Sequence, residues 1–181
     1  MTKKQAEELL YEFVKSESLL RHCSSVASSM RHFAKKFNED EEKWYLTGLL
    51  HDFDYEKYPD QHPQIGEKIL REKGVDEEII RAIQSHADYT GVSRDTLMEK
   101  TLFAVDELSG FVVAVAYVRP NKMDGMKIKS VKKKLKDKAF AAAVNRDDIR
   151  NGAEELEIEL DELIEGVIEA LSGDAKELGL I

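Results

Sequence analysis

Four histidines and two aspartates are spaced along this chain in a way that suits a metal site. His51 and Asp52 are adjacent and close an apolar stretch of sequence. An imidazole and a carboxylate at one helix end can bind the same metal ion. The chain offers four further groups of the same kinds, which are His22, His62, His86 and Asp106. A mixed His and carboxylate set without Cys thiolates suits Fe, Mn, Ni, Co or Zn in an octahedral or open catalytic site.

Helical periodicity surrounds most of these residues. His22 lies in a segment with apolar residues at helical spacing, and His51 ends a helix that Asp40 is expected to cap. Asp106 lies within a long apolar helix for which Ser93 is the expected cap, while the remaining two histidines fall at helix boundaries. Because antiparallel helices in a bundle can bring distant positions together, one site is a reasonable prediction.

The rest of the chain also predicts helices. Thr2 and Gln5 suit a capping box for a first helix running to about Lys15. The β-branched run at 111–118 would suit a strand, but it continues a helical pattern and has no partner strand, so we predict buried helix. A last helix is predicted from the apolar residues at 156–171, with an acidic opposite face. The fold class predicted is all-α.

Composition narrows the classes of function. The 181 residues include 27 Lys and Arg against 36 Asp and Glu, a net charge of −9 that argues against binding a nucleic-acid polymer. One cysteine permits no internal disulfide. The longest apolar run is shorter than the ~20 residues that a membrane helix needs. The start of the chain does not resemble a signal peptide, so we expect no membrane partner and a cytoplasmic location.

The order of the six residues resembles the HD-domain superfamily of metal-dependent phosphohydrolases. The sequence TGLLHD at 47–52 is close to the family's small-Gly-Leu-Leu-His-Asp signature. Four more stretches resemble its other motifs: LRHCSSVA at 20–27, HPQIGEKIL at 62–70, AIQSH at 82–86 and KTLFAVDE at 100–107. The resemblance implies a single HD-type helical domain across 1–181, with its core at about 18–110 and a C-terminal helical extension at about 120–181.

The resemblance also implies a ligand set and a reaction. One divalent transition metal ion would be held by four side chains, which are His22, His51, Asp52 and Asp106. His62 and His86 would help to hold a second ion, with Asp52 bridging. A metal-activated hydroxide would then attack a small phosphorylated, nucleotide-like substrate. A site with a single metal ion is the main competing arrangement within the family.

One departure from the family concerns catalysis. Many members place a lysine shortly after the His-Asp pair, whereas this chain has Phe-Asp-Tyr-Glu-Lys at 53–57. Asp54 and Lys57 are therefore candidates for substitute catalytic roles beside Asp52. Arg119 and Lys122 are candidates for contact with substrate phosphate.

The lysine run at 127–138 allows two interpretations. It could form a flap that attracts a phosphorylated substrate, or a solvated helix face paired with the acidic C-terminal helix. The second is the simpler expectation.

Two other functions stay open. Some relatives with this ligand set are di-iron oxygenases that activate O₂, and a non-catalytic metal-binding regulatory module is a third class. Redox-active iron with O₂ uptake would indicate the oxygenase, and a lack of bound metal would indicate a degenerate module. The sequence also leaves open whether the chain forms a homo-oligomer.

Overall fold

The structure, a computed structural model, describes residues 1–181 and consists of nine α-helices without a strand. The all-α prediction is therefore confirmed. Short 3₁₀ turns lie at Pro59–Gln61 and Asp88–Thr90. The helices are α1 (Lys3–Phe13), α2 (Glu17–Phe37), α3 (Glu41–Leu50), α4 (Gln64–Glu72), α5 (Glu77–Ser85), α6 (Leu97–Tyr117), α7 (Ile128–Leu135), α8 (Arg146–Glu155) and α9 (Leu160–Gly173). No helix is both long and apolar enough to cross a membrane.

Several helices begin at the residues that the sequence predicts. Thr2 and Gln5 form a reciprocal capping box at α1, although this helix ends at Phe13 rather than near Lys15. The Asp40 carboxylate accepts a 2.9 Å hydrogen bond from the amide of Lys43 and thereby caps α3. Asp76 caps α5 in the same way. Each cap satisfies an amide that the first helical turn leaves unpaired.

Two predicted boundaries are wrong. α6 is capped by Thr96 rather than Ser93, because Glu99 lies three residues after Thr96 and completes a capping box. The predicted last helix is interrupted after α8 by a turn in which Glu157 has a φ of 58°, a left-handed conformation that no helix continues through. The apolar spacing at 156–171 crosses this turn, so periodicity alone does not reveal the break.

The long helix α6 lies at the centre of the C-terminal half. It packs against α2, α8 and α9, and its residues Phe111, Val112 and Val115 are buried, as the prediction of buried helix requires. A second apolar cluster forms around α1, α3 and α5. Whether the whole chain acts as one domain stays a prediction.

A close approach between α2 and α3 fixes the end of α3. A β-carbon added to Gly48 would lie 2.7 Å from the Cα of Ala27, which is closer than real β-carbons approach a backbone. Gly48 therefore lets the two helices pack backbone to backbone. His51 follows one helical turn later, and its position depends on this contact.

We predict that Gly48→Ala destabilises the protein by about 1–3 kcal/mol, because the added methyl forces α3 away from α2. Thermal or denaturant unfolding would measure the loss. The matched control is Gly173→Ala at the end of α9, where an added β-carbon meets nothing within 4 Å. Equal stability of the two variants would contradict the packing argument.

Candidate metal centre

Three helices bring the first group of predicted ligands together. His22 projects from the N-terminal half of α2, His51 and Asp52 follow α3, and Asp106 lies in α6. The Nε2 atom of His22 lies 3.1 Å from Asp106 Oδ1, 3.6 Å from Asp52 Oδ2 and 3.1 Å from His51 Nε2. His51 Nε2 lies 3.4 Å from the same Asp52 oxygen and 3.3 Å from Asp106 Oδ1. These four side chains thus converge on one point.

The other oxygen of Asp52 faces the second pair of histidines. His62 Nε2 lies 3.2 Å from Asp52 Oδ1, and His86 Nε2 lies 3.5 Å from it. His62 follows the 3₁₀ turn before α4, and His86 caps the C-terminal end of α5. Asp52 is therefore shared between two imidazole pairs, one on each oxygen.

Hydrogen bonds on the far side of three rings hold the Nε2 atoms toward the centre. The Nδ1–H of His51 donates to the Gly48 carbonyl at 2.8 Å, and that of His86 donates to the Ile83 carbonyl. The Nδ1–H of His62 donates to Asp54 Oδ1 at 2.7 Å. Such partners orient metal-binding imidazoles and leave Nε2 free to bind an ion.

The distances between ligand atoms fit divalent metal ions. Metal–nitrogen bonds of about 2.0–2.1 Å place neighbouring ligands of one ion about 3.0–3.4 Å apart. Two sets of three residues have ligand atoms that all lie within 4.8 Å of one another, namely His22 with His51 and Asp52, and Asp52 with His62 and His86. The closest pairs in the two sets lie 3.1 and 3.2 Å apart. With Asp106 added to the first set, these residues could hold one ion or two, with Asp52 between them.

Opposite charges offset the cost of burying this cluster. Burial opposes the charge of Asp52, but His51 and the hydrogen bonds of the imidazoles hold its pKa well below the usual value. Burial likewise opposes the charge of Asp106, and His51 lowers its pKa strongly. Burial would lower the pKa of His62, yet hydrogen bonds with Asp52 and Asp54 raise it to about 9. Without metal, protons supply the positive charge that the carboxylates require.

The cluster opens into a cleft of about 410 Å³. Neither lysine nor arginine lines it. Its wall carries Tyr55, Tyr89, Glu107 and Asp148 besides all the predicted ligands except the buried His51. Burial and the charge of Asp106 raise the pKa of Glu107 to about 7. The Tyr89 hydroxyl donates to the His62 carbonyl at 2.6 Å, which ties one tyrosine to the cluster.

Three predicted site residues lie elsewhere in the structure. The Lys57 ammonium sits 4.5 Å from the centroid of the Phe13 ring, and Lys57 does not line the cleft. The Arg119 guanidinium donates to the carbonyls of Lys122 and Asp124, and the Lys122 ammonium donates to the Gly179 carbonyl. The catalytic interpretation of Lys57 and the phosphate-binding interpretation of Arg119 and Lys122 therefore find no support in their positions.

Asp54 lies behind the cluster rather than in the cleft. Its side chain is buried and uses both oxygens, one for His62 and one for the amide of Gly66 at 2.8 Å. Gly66 allows this contact because a β-carbon there would lie 2.7 Å from Asp54 Oδ2. Asp54 thus positions a predicted ligand instead of touching substrate.

Sequence reasoning missed much of the cleft wall. The sequence motifs predict no role in the cleft for Glu107 or Asp148, although both line it. Asp148 lies in α8, a helix that begins about forty residues after Asp106 and packs against α6. No local pattern marks such a residue, because its position depends on how two distant helices dock.

We predict that Asp54→Asn weakens metal binding at the second group by about 10–100-fold, because His62 loses the carboxylate that orients it. Metal content after dialysis against graded chelator would measure the change. Asp60→Asn, at an exposed position in the same loop, is the control. Unchanged metal retention in Asp54→Asn would contradict the supporting role.

We also predict that metal-free protein loses stability as pH rises. The folded pKa of His62, about 9, exceeds the ordinary value of 6.5, so the protonated ring contributes fully below 6.5 and its contribution disappears as pH rises through 9. The shift corresponds to about 3 kcal/mol. Melting curves of chelator-treated protein between about pH 6.5 and 9.5 would measure the decline.

Metal-loaded protein should lack this decline, because a bound imidazole is already deprotonated. His62→Gln should make the decline of metal-free protein shallower, and what remains belongs to other buried groups with raised pKa, Glu107 among them. A melting temperature of metal-free wild type that stays level across this range would refute the assignment.

Comparison with known proteins agrees with the geometry. A family model described as HD domain matches residues 19–110, and no solved structure matches. A tRNA (cytidine(56)-2'-O)-methyltransferase of Thermoplasma volcanium is 31% identical over 80 residues, which cover 44% of this chain and 24% of that relative. The family match includes all six predicted ligands and spans more than half of the sequence. The chain therefore belongs to the HD domain family.

Proposed function

We propose that this protein is a metal-dependent phosphohydrolase acting on a small phosphorylated, nucleotide-like substrate. HD domains are generally metal-dependent hydrolases, and this chain carries the complete His and Asp set. The observation that carries the proposal is the sharing of Asp52 between two imidazole pairs at the floor of an open cleft. An arrangement of this kind suits two ions about 3.5–4 Å apart.

Divalent ions bound here would neutralise phosphoryl oxygens and lower the pKa of a water molecule. The chain itself positions the ligands. Asp52 turns one oxygen to each imidazole pair, and Asp54 and the Gly48 carbonyl fix the ring orientations of His62 and His51. This arrangement is held in place before substrate arrives, which reduces reorganisation during the reaction.

The cleft suggests what the substrate looks like near the reacting phosphate. No lysine or arginine lines the cleft, so the chain offers neither of these side chains to a phosphate there. Tyr55 and Tyr89 are 49% and 69% exposed and offer ring faces at its wall. A volume of about 410 Å³ suits a small molecule. A compact phosphoester with a planar or sugar portion fits these features.

The similar methyltransferase does not lead us to propose methyl transfer. Its name describes a whole protein, of which the matched stretch is 24%. The alternative function, a di-iron oxygenase, would use a comparable ligand set, and the same experiment distinguishes it from hydrolysis.

We predict that metal-replete protein releases phosphate from members of a panel of nucleotides, sugar phosphates and phosphodiesters, and that Asp52→Asn lowers kcat by about 10³-fold or more, because the shared ligand is lost. Phosphate release, O₂ uptake and metal content would be measured side by side. His32→Asn is the control, since His32 contacts Glu169 away from the cluster.

The proposal is wrong if metal-replete protein cleaves nothing in the panel and Asp52→Asn keeps its metal content. Substrate-dependent O₂ uptake by iron-loaded protein would favour the oxygenase. Absence of bound metal in protein purified without chelator would favour a non-catalytic module.

A further inference from the structure

A second cleft, larger than the metal cleft, lies between α7, α8 and the start of α9. Its volume is about 670 Å³. Three apolar side chains line it, together with five cationic ones and a single carboxylate: Leu135, Ile149, Leu160, Lys132, Lys136, Lys138, Arg146, Arg150 and Asp147. We call it the basic cleft. In a chain with a net charge of −9, it concentrates positive charge in one concave place.

The acidic face of α9 neutralises only part of this charge. Lys132 pairs with Asp161 at 2.7 Å, as the predicted pairing of the lysine run with the acidic helix requires. Other acidic residues of α9 contact α2 instead, and Glu162 forms an ion pair with Lys36 at 2.7 Å. Lys136 and Lys138, which end the lysine run, form no ion pair. The predicted pairing is therefore confined to Lys132, and two cations of the cleft remain available.

Arg146 gives the basic cleft a fixed wall. Its guanidinium donates to the carbonyls of Leu135 at 3.1 Å and Asp137 at 2.9 Å, and also to the carbonyl of Phe140. These bonds tie the end of α7 and the following loop to the start of α8. The ordered loop in turn carries Lys136 and Lys138. A concave wall that holds cations over apolar side chains strengthens the attraction of an anion, because the nearby medium is less polar than water.

We propose that the basic cleft binds a small, multiply charged phosphate compound at a site separate from the metal centre. Its volume lies in the range of small-molecule sites. The metal cleft lacks lysine and arginine, so the two clefts differ in the chemistry they offer. Residues 144–148 separate them, since Val144 and Asp148 line the metal cleft whereas Arg146 and Asp147 line the basic cleft. The proposal does not depend on hydrolysis at the metal centre.

The test is calorimetric titration of the full-length protein with inorganic tripolyphosphate at near-physiological salt. Wild type and Asp52→Asn are both titrated. Because Asp52→Asn weakens the metal centre, a lower affinity of this variant for tripolyphosphate would reveal binding at that centre. The double variant Lys136→Glu/Lys138→Glu reverses the free charges of the cleft. The matched control is Lys129→Glu/Lys133→Glu, which makes the same change in net charge at exposed lysines of the same run outside the cleft.

We expect wild type and Asp52→Asn to bind tripolyphosphate equally. Lys136→Glu/Lys138→Glu should weaken binding at least about tenfold, because attraction becomes repulsion at short range, while the control should lose less than about threefold. All four positions are exposed, and melting curves verify that each variant is folded.

Three results would overturn the proposal. Absence of binding to wild type would remove the site. Equal losses of affinity in the two lysine variants would show that the whole lysine run attracts the anion diffusely. Attraction of that kind would act equally on a nucleic-acid polymer and would not define a site. Loss of binding in Asp52→Asn alone would place the anion in the metal cleft. None of these results depends on whether the protein hydrolyses a substrate, so the two proposals fail separately.

Discussion

One carboxylate, that of Asp52, must lie within reach of four imidazoles that come from four different parts of the chain. His22 and His51 approach one oxygen, and His62 and His86 approach the other. Six polar side chains in so small a volume are costly to bury unless charges and hydrogen bonds are matched. The positions of α2, α3, α5 and α6 all have to satisfy this requirement at once. The helices are in this sense arranged around the Asp52 carboxylate, which the four imidazoles share.

The support for this arrangement is largely backbone. Two of the rings are held by the carbonyl groups of their own helix ends, three residues earlier, so the helix terminus both ends the element and orients the ligand. Gly48 lets the backbone of α2 approach α3, and Gly66 lets the Asp54 carboxylate approach α4. Both approaches are closer than a side chain would permit. In the second pair of imidazoles, a backbone carbonyl holds His86, whereas the orientation of His62 depends on its side-chain hydrogen bond with Asp54.

Local signals predicted much of the fold. Caps at Thr2 and Asp40 are short-range features, and they lie where the sequence indicates. Residue types and positions on predicted helices made the six side chains candidate ligands, and the family resemblance implied which of them share an ion, since nothing local connects His22 with Asp106. The phosphate-contact prediction for Arg119 finds no support, because its guanidinium donates to carbonyls of its own turn, which composition does not reveal. The cleft wall and the break between α8 and α9 depend on tertiary docking, and periodicity carries no information about docking.

The family match ends at residue 110, in the middle of α6. Beyond that point the same helix buries Phe111, Val112 and Val115 among residues of α8 and α9, and α8 supplies Asp148 to the metal cleft. A fragment expressed to the family boundary would cut a helix in two, leave an apolar face open to water and remove one wall of the cleft. The stretch that carries the six ligands therefore ends earlier in the sequence than the packing that covers them. Truncations or gene fusions made at the end of the family match would expose this apolar face and aggregate.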